Sequence, residues 1–266
     1  MKKYLSFVLA VALSVCAYGQ DWAWQSVGRG AQAGYAQVEI SGAVQSISVV
    51  RYRASRCWTE VVNDPAEMAD STSALAIRHG ALWAINGSYF NVRELTPVTF
   101  VKDDGVQEGS TTAEEEFRAD GVIAIRGRKV TIIPCDTSSY VTATKRCREA
   151  LASGPVLLHN GSPVHDSWPA DSFFTGRHPR SLVGTAGGWV YFVVIDGRAF
   201  GHAAGTTIPE TVAVAQMLGL EDAINLDGGG SSTLWTSRLG VISHPCDNRR
   251  FDHYGQRSVP NILICR

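Results

Sequence analysis

The chain has 266 residues, 45% of them hydrophobic, with 24 basic and 25 acidic side chains. This near-neutral balance excludes the basic footprint of a nucleic-acid-binding protein, and no basic amphipathic helix predicts binding to a membrane surface. Because no linker, charge block or repeat divides a chain that is long enough to bury a large core, we predict one domain. The predicted partner is a small or neutral ligand.

The N-terminal residues have the arrangement of a secretory signal peptide, with charged residues first, then an apolar run and then a cleavage site. Two lysines precede an apolar run over residues 4–17, and small residues surround a predicted cleavage site after Gly19. We expect residues 1–19 to be a signal peptide, the mature protein to be exported to the periplasm, cell surface or medium, and no integral membrane segment to remain. A lipid anchor at Cys16 is the alternative, although a bulky valine precedes it.

The other cysteines are expected to be partly oxidised in an exported protein. None has the Cys-x-x-Cys spacing of a metal or redox site, and their odd number leaves at least one unpaired. The local pairs Cys135 with Cys147 and Cys246 with Cys265 are the first expected, and the sequence leaves the connectivity open. The five residues are Cys57, Cys135, Cys147, Cys246 and Cys265.

The first half of the chain predicts strands around one helix. Residues 38–52 and 122–133 are rich in Val, Ile and Thr with stretches of alternation, which is typical of strands. Residues 64–78 begin with Asp-Pro and have a moderately amphipathic pattern, which predicts a helix leading into a buried strand over 81–85. Residues 103–118 are acidic and without period, and we expect a mobile surface loop there.

The second half alternates helices and strands. A helix is predicted over 142–152, stopped by Gly154-Pro155 before a short strand over 156–159. Residues 180–184 and 189–196 flank a Gly-Gly pair with β-branched and aromatic residues, which predicts a hairpin.

The clearest helix signal is a capping box. Thr207 and Glu210 have the Ser/Thr-x-x-Glu spacing ahead of an apolar run, and Pro209 lies in the first turn. A strand over 223–226 follows. Hairpins mixed with crossovers favour an α+β fold, with a mixed, largely antiparallel sheet flanked by helices in a single domain.

A carboxylate and three glycines follow that strand. Consecutive glycines each lose about 0.5–1 kcal/mol relative to alanine in regular structure, but they let main-chain N–H groups approach a ligand closely. Such a concave run binds anions. The ligand-binding segment predicted here is Asp227, Gly228, Gly229, Gly230 and Ser231, with a tight turn capped by the Asp as the alternative.

Two further segments carry polar side chains of interest. Asn86 and Tyr89 follow a buried strand and suit a saccharide pocket, although the segment taken alone favours an ordinary Asn-Gly turn. His178 and Arg180 are two residues apart, and Arg is the residue for two-point contact with phosphate, although such a pair is more often on the surface. The capping role alone would account for Glu210.

Taken in order, these motifs resemble the phosphodiester glycosidase domain family over about residues 84–264. The similar segments are Asn86-Gly-Ser-Tyr-Phe90, Gly154-Pro155, Pro179-Arg180-Ser-Leu-Val-Gly184, Asp196-Gly197-Arg198, Glu210, Asn225-Leu-Asp-Gly-Gly-Gly-Ser-Ser232 and Arg257-Ser-Val-Pro-Asn261. The resemblance implies an α+β domain over 61–266 that removes a sugar from a sugar-1-phosphodiester. Residues 20–60 match nothing in the family, and we predict that they form an N-terminal strand region of the same domain. Ser181-Leu182 replaces the more usual Thr-Ala.

The resemblance also implies roles for individual residues. Asn86, Arg180 and Asp227 would be catalytic, with His178 as a proton carrier. The residues expected to bind substrate are Tyr89, Gly228, Gly229, Gly230, Ser231, Arg257 and Glu210. A phosphomonoester leaves readily once its charge is neutralised, so a site with one obvious carboxylate suits this reaction better than an ordinary glycosidase, which uses two. No cofactor is expected.

Two alternatives belong to other functional classes. A metal-dependent phosphodiesterase would cut the P–O bond, with Asp227 as an oxygen ligand to a divalent cation such as Ca²⁺. No His-x-His, His-Glu-x-x-His or dense Asp motif favours it. A non-catalytic glycan-binding module would keep the pocket without the chemistry.

Overall fold

The computed structural model describes residues 22–28 and 30–266, so the predicted signal peptide and Cys16 lie outside the described residues. Its largest sheet has eight antiparallel strands. In spatial order they are Gln25–Gly28, Ala31–Ile40, Ala43–Arg53, Trp189–Ile195, Arg180–Ala186, Asp222–Asn225, Val156–His159 and Ser162–Pro163.

Two five-stranded antiparallel sheets pack against the large one. The second sheet comprises Val106–Gly109, Val101–Asp103, Glu149–Ser153, Gly121–Arg126 and Lys129–Pro134. The third sheet comprises Gly240–Val241, Leu234–Thr236, Trp83–Asn86, Asn261–Cys265 and Thr59–Asn63. Two short pairs, Asp70–Ser71 with Ser258–Val259 and Phe90–Asn91 with Thr96–Pro97, complete the strands.

Helices are few and short. The α-helices are Thr72–Arg78, Tyr140–Ala143, Ser172–Thr175 and Ile208–Met217, and the 3₁₀ turns are Ala54–Arg56, Ala66–Met68, Thr137–Ser139 and Gly229–Ser231. The predicted capping box is confirmed, because Thr207 Oγ1 accepts from the Glu210 N–H at 3.2 Å and Glu210 Oε2 accepts from the Thr207 N–H at 3.0 Å. This helix packs its apolar face against the large sheet.

The main core lies where the three sheets meet. Its buried side chains come from all of them, for example Phe192 from the large sheet, Leu151 from the second and Ile85 from the third. All named strand pairs are antiparallel, and the protein is a single α+β domain with helices on the periphery. The predicted fold class is confirmed. Among the described residues, no helix is both long and apolar enough to cross a membrane.

Several predicted elements have different boundaries or types. The helix expected over 142–152 is wrong: Tyr140–Ala143 is helical, and Glu149–Ser153 is the middle strand of the second sheet, paired on both sides. Its Ala-Leu-Ala run favours a helix by propensity, but burial between two strands overrides that preference. The expected helix over 64–78 is reduced to Thr72–Arg78, and the expected loop begins with a hairpin whose second strand is Val106–Gly109.

The disulfide joins Cys57 to Cys265, which are 208 residues apart. The expected pairing of Cys246 with Cys265 is therefore wrong, and Cys135, Cys147 and Cys246 are free. The third sheet explains the pairing. Strand Thr59–Asn63 runs antiparallel to Asn261–Cys265 with Thr59 opposite Cys265, which brings Cys57 beside the end of the chain.

The topology gathers several predicted site residues at one end of the large sheet. Arg180 begins a strand whose Leu182 lies opposite Asn225, so the start of that strand and the end of Asp222–Asn225 share an edge. Leu226 then donates to the Ser181 carbonyl at 2.8 Å, and Gly229 donates to the Pro179 carbonyl at 2.9 Å. The Asp227 loop therefore lies directly beside Arg180.

Candidate active site

Asp227 lies at the junction of the large and third sheets. Its N–H donates to the Gly87 carbonyl at 3.1 Å, and its own carbonyl accepts from Asn86 Nδ2 at 2.8 Å. Burial raises the pKa of its carboxyl group above the ordinary range. The positive charges of Arg118 and Arg257 oppose that shift, as does Ser231. Asp227 is therefore a desolvated carboxylate with arginines on more than one side.

The three glycines fit a crowded loop. A Cβ on Gly228 would approach the Pro179 carbonyl oxygen to 2.6 Å, and one on Gly230 would overlap the side chains of Asp247 and Arg257. Any side chain at these two positions would thus displace the loop. Ser231 Oγ is buried next to the Asp227 carboxyl group and offsets part of the pKa shift that burial imposes on that group.

Arg180 is buried and has no carboxylate partner within the part of the chain that is described. Its Nε donates to the Thr206 carbonyl at 3.0 Å, and its Nη2 donates to the carbonyls of Phe173 at 2.6 Å and Gly176 at 3.2 Å. Burial lowers the pKa of Arg180 to about 10. Because neutral carbonyls hold the guanidinium without neutralising it, its charge remains available to an anion.

Arg118 is a site residue that the sequence did not indicate. Its Cζ lies 3.9 Å from the centre of the Tyr89 ring and 5.2 Å from that of Phe173, while the Arg180 Cζ lies 5.1 Å from the same Phe173 ring. Glu115 anchors it through an Nε–Oε2 contact of 2.6 Å. Arg118 comes from the irregular segment expected to be a mobile loop, where no periodic signal distinguishes it.

Two more arginines border the glycine loop. Arg257 forms a two-point ion pair with Asp247, at 2.8 and 3.0 Å. Burial alone would lower its pKa, but the charges of Asp247 and Asp227 raise it. The Arg198 guanidinium lies against Gly229, where a Cβ would meet Nη2 at 3.1 Å. Arg198 belongs to the Asp196-Gly197-Arg198 segment of the family resemblance.

Asn86 and Tyr89 are more deeply buried than a sugar-binding role requires. Asn86 is fully buried, and its Oδ1 accepts from Ser181 Oγ at 2.7 Å and from the Thr233 N–H at 3.1 Å. The Tyr89 hydroxyl donates to the Gly154 carbonyl at 2.5 Å and accepts from Asn225 Nδ2 at 3.0 Å. Burial raises the pKa of Tyr89 well above its usual range. Asn86 thereby joins the third sheet to the large sheet, and Tyr89 bonds to the end of strand Asp222–Asn225.

His178 and Glu210 lie at the edge of this group. His178 Nε2 is 3.4 Å from the Ser172 carbonyl, and burial together with Arg180 lowers the pKa of its imidazole. Both carboxylate oxygens of Glu210 contact Arg177, at 2.6 and 3.1 Å. Burial opposes ionisation of Glu210, but Arg177 and Thr207 lower its pKa overall. The substrate role predicted for Glu210 stays a prediction.

Among residues 22–28 and 30–266, no group of three or more His, Cys, Asp or Glu side chains is arranged to hold a metal ion. The charged groups that meet at Asp227 are arginines.

Comparison with known protein families identifies the domain. The family model for phosphodiester glycosidases matches residues 79–266, most of the chain. The chain belongs to the phosphodiester glycosidase family. The resemblance predicted from the sequence motifs is thereby confirmed, and Asn86, Arg180, Asp227 and Arg257 all lie inside the matched region. No curated protein sequence matches the chain.

Solved structures share the fold at low sequence identity. The zebrafish N-acetylglucosamine-1-phosphodiester alpha-N-acetylglucosaminidase catalytic domain, auto-inhibited by its pro-peptide, matches with a TM-score of 0.70 and 16% identity over 90% of this chain and 84% of that chain. A Synechocystis protein matches with a TM-score of 0.65 and 15% identity over 89% and 62%. A Burkholderia pseudomallei protein described as exported matches with a TM-score of 0.57 and 16% identity over 84% and 74%.

Proposed function

We propose that this phosphodiester glycosidase is an exported hydrolase that cleaves a sugar-1-phosphodiester at the glycosyl C–O bond and releases a free sugar and a phosphomonoester. Family membership supports this reaction. So does the zebrafish structure of similar fold, which is named as a glycosidase of an N-acetylglucosamine 1-phosphodiester. The Cys57–Cys265 disulfide and the similarity to a protein described as exported support the location.

The observation that carries the proposal is the charge pattern around Asp227. Arg180 is buried without a carboxylate partner in the described chain, and Arg118 and Arg180 both approach the Phe173 ring, with Cζ atoms 5.2 and 5.1 Å from its centre. Two guanidinium groups held this close repel each other unless an anion lies between them. A phosphodiester supplies that anion, and its charge grows as the glycosyl bond breaks, so these arginines would stabilise the leaving group.

Asp227 would act on the sugar side of the reaction. A carboxylate can serve as a base for the attacking water or stabilise the cationic sugar that forms as the phosphate leaves. Ser231 Oγ and the N–H groups of the glycine loop would orient the same end of the substrate, because they flank the carboxylate. Within the described residues His178 has no carboxylate partner to fix its proton, and it stays a candidate proton carrier.

Hydrolysis in ¹⁸O-labelled water tests which bond breaks. The purified mature protein would be assayed against a panel of sugar-1-phosphodiesters, with the products analysed by mass spectrometry. We expect the label in the sugar hydroxyl and an unlabelled phosphomonoester. Label in the phosphate would support the metal-dependent phosphodiesterase, particularly if a chelator abolished it. Binding without turnover of any substrate would support the glycan-binding module.

A further inference from the structure

An exposed aromatic side chain, Phe117, lies beside Arg118 and Arg180, the two arginines that the proposed function assigns to phosphate. Phe117 is 55% exposed although it is large and apolar. Its ring lies edge-to-face with Phe173 and Phe174, with centroids 6.1 Å apart in both cases. Phe173 is the ring that Arg118 and Arg180 both approach. Phe117 therefore places an exposed apolar surface beside the two arginines.

The turn that carries Phe117 is anchored at both ends. Thr112 donates to the Val98 carbonyl at 3.0 Å, and the Ala119 carbonyl accepts from the Tyr140 hydroxyl at 2.5 Å. Between them, Arg118 and Ala119 donate to the Glu115 carbonyl at 3.1 and 3.0 Å. The exposed position of Phe117 is thus set by a hydrogen-bonded turn, and packing of the core does not account for it.

The order of sugar, phosphate and alcohol in the substrate determines which of the three groups contacts Phe117. Under the proposed function the sugar carbon lies at Asp227 and the phosphate at Arg118 and Arg180, so the alcohol esterified to the phosphate extends from the phosphate on the side opposite the sugar. Phe117 is adjacent to Arg118 in the chain and in space, with the Arg118 Cζ 5.5 Å from its ring centre. Phe117 is not among the groups that lower the pKa of the Asp227 carboxyl group. Those groups are Ser231, Arg118, the Gly228 N–H and Arg257.

We propose that Phe117 is a specificity-determining residue for the leaving group, and that the preferred substrates are diesters whose alcohol carries a ring with a flat apolar face. A pyranose and an aryl group both present such a face, and an aromatic side chain stacks on either one. This inference rests on the proposed function, since it assumes that the phosphate binds between the two arginines. The sequence-predicted aromatic, Tyr89, does not fill this role because it is buried beneath Arg118.

The test compares two diesters of one sugar, a phenyl and a methyl phosphodiester. Phe117→Ala should lower kcat/KM about fivefold more on the phenyl diester than on the methyl diester, the scale of one aromatic contact. Phe117→Tyr should restore most of the difference. The matched control is Trp58→Ala, which removes a half-exposed aromatic with Arg128 4.8 Å from its ring at a different part of the surface and should leave the ratio unchanged.

The outcomes separate this inference from the proposed function. A wild-type protein that hydrolyses neither diester contradicts the function itself. Equal losses on the two diesters in Phe117→Ala overturn the inference, because they would mean that Phe117 contacts the shared sugar or acts only by placing Arg118.

Discussion

Arg180 donates a hydrogen bond to the Phe173 carbonyl at 2.6 Å, and its Cζ lies 5.1 Å from the centre of the same residue's ring. Arg180→Lys keeps the charge but loses the planar contact to several carbonyls, so both stability and activity should fall. Comparing a phosphodiester with an aryl glycoside of the same sugar cancels the folding damage common to both. We expect an additional penalty of about 2–4 kcal/mol on the phosphodiester.

Equal penalties on the two substrates would show that Arg180 only supports the fold or the sugar subsite. The phosphate role would then pass to Arg118, whose guanidinium is anchored by Glu115 and exposed by about a quarter.

Asp227→Asn should abolish most turnover while leaving the protein folded. Because burial raises the pKa of Asp227 in the folded state, the folded protein holds its proton to higher pH than the unfolded chain does. This group therefore destabilises the fold progressively as pH rises from the ordinary Asp range through the raised pKa. Asn removes that effect, so we expect unchanged or higher Tm at neutral pH, measured by calorimetry beside kcat.

Wild-type rates in Asp227→Asn would remove the carboxylate from the mechanism. A fall in Tm at neutral pH would instead mean that the ion pairing with Arg118 and Arg257 outweighs the desolvation of the carboxylate.

Tyr89→Phe tests whether the hydroxyl serves the fold or the sugar. The hydroxyl donates to the buried Gly154 carbonyl at 2.5 Å, which also accepts from Asn225 Nδ2 at 3.0 Å. Losing it should lower the free energy of unfolding by about 1–2 kcal/mol in urea titrations. If Tyr89 contacts the sugar directly, KM would rise with little change in stability, which is the opposite pattern.

Glu149 lies outside the candidate site, and its raised pKa predicts that the stability of the protein depends on pH. Burial, reinforced by the charge of Asp103, raises its pKa from 4.5 to about 7. Since the folded state then binds a proton that the unfolded state has released, this group's contribution to stability falls as pH rises from about 4.5 to about 7. Glu149→Gln should flatten the profile of unfolding free energy over that range. An unchanged slope would contradict the assignment.

The disulfide should be the main covalent contribution to stability. Cys57 and Cys265 are 208 residues apart, so the bond restricts a long loop in the unfolded chain. We expect the Cys57→Ala, Cys265→Ala double variant to lose about 2–5 kcal/mol, with Cys147→Ala as a control that alters a free thiol. Peptide mapping without reduction should recover the 57–265 pair. A linked Cys246 would contradict the assignment.

The sequence by itself determined the local elements that have strong chemical signals. The capping box at Thr207, the Gly-Gly hairpin and the ordered motifs around Asn86, Arg180 and Asp227 depend on neighbouring residues, and they identified the family. The strand type of Glu149–Ser153 was not accessible in this way, because an apolar Ala-Leu-Ala run carries no period and its pairing partners lie elsewhere in the chain.

Only the tertiary structure decided how these residues are used. Tyr89 and Asn86 are buried, and their polar groups bond to partners from distant strands, which no spacing along the chain reveals. Arg118 and Phe117 lie against Phe173 because a hydrogen-bonded turn holds them there, a contact that no local pattern predicts. The disulfide depends on the antiparallel register of Thr59–Asn63 with Asn261–Cys265, a contact between the two ends of the domain that forms only when the third sheet assembles.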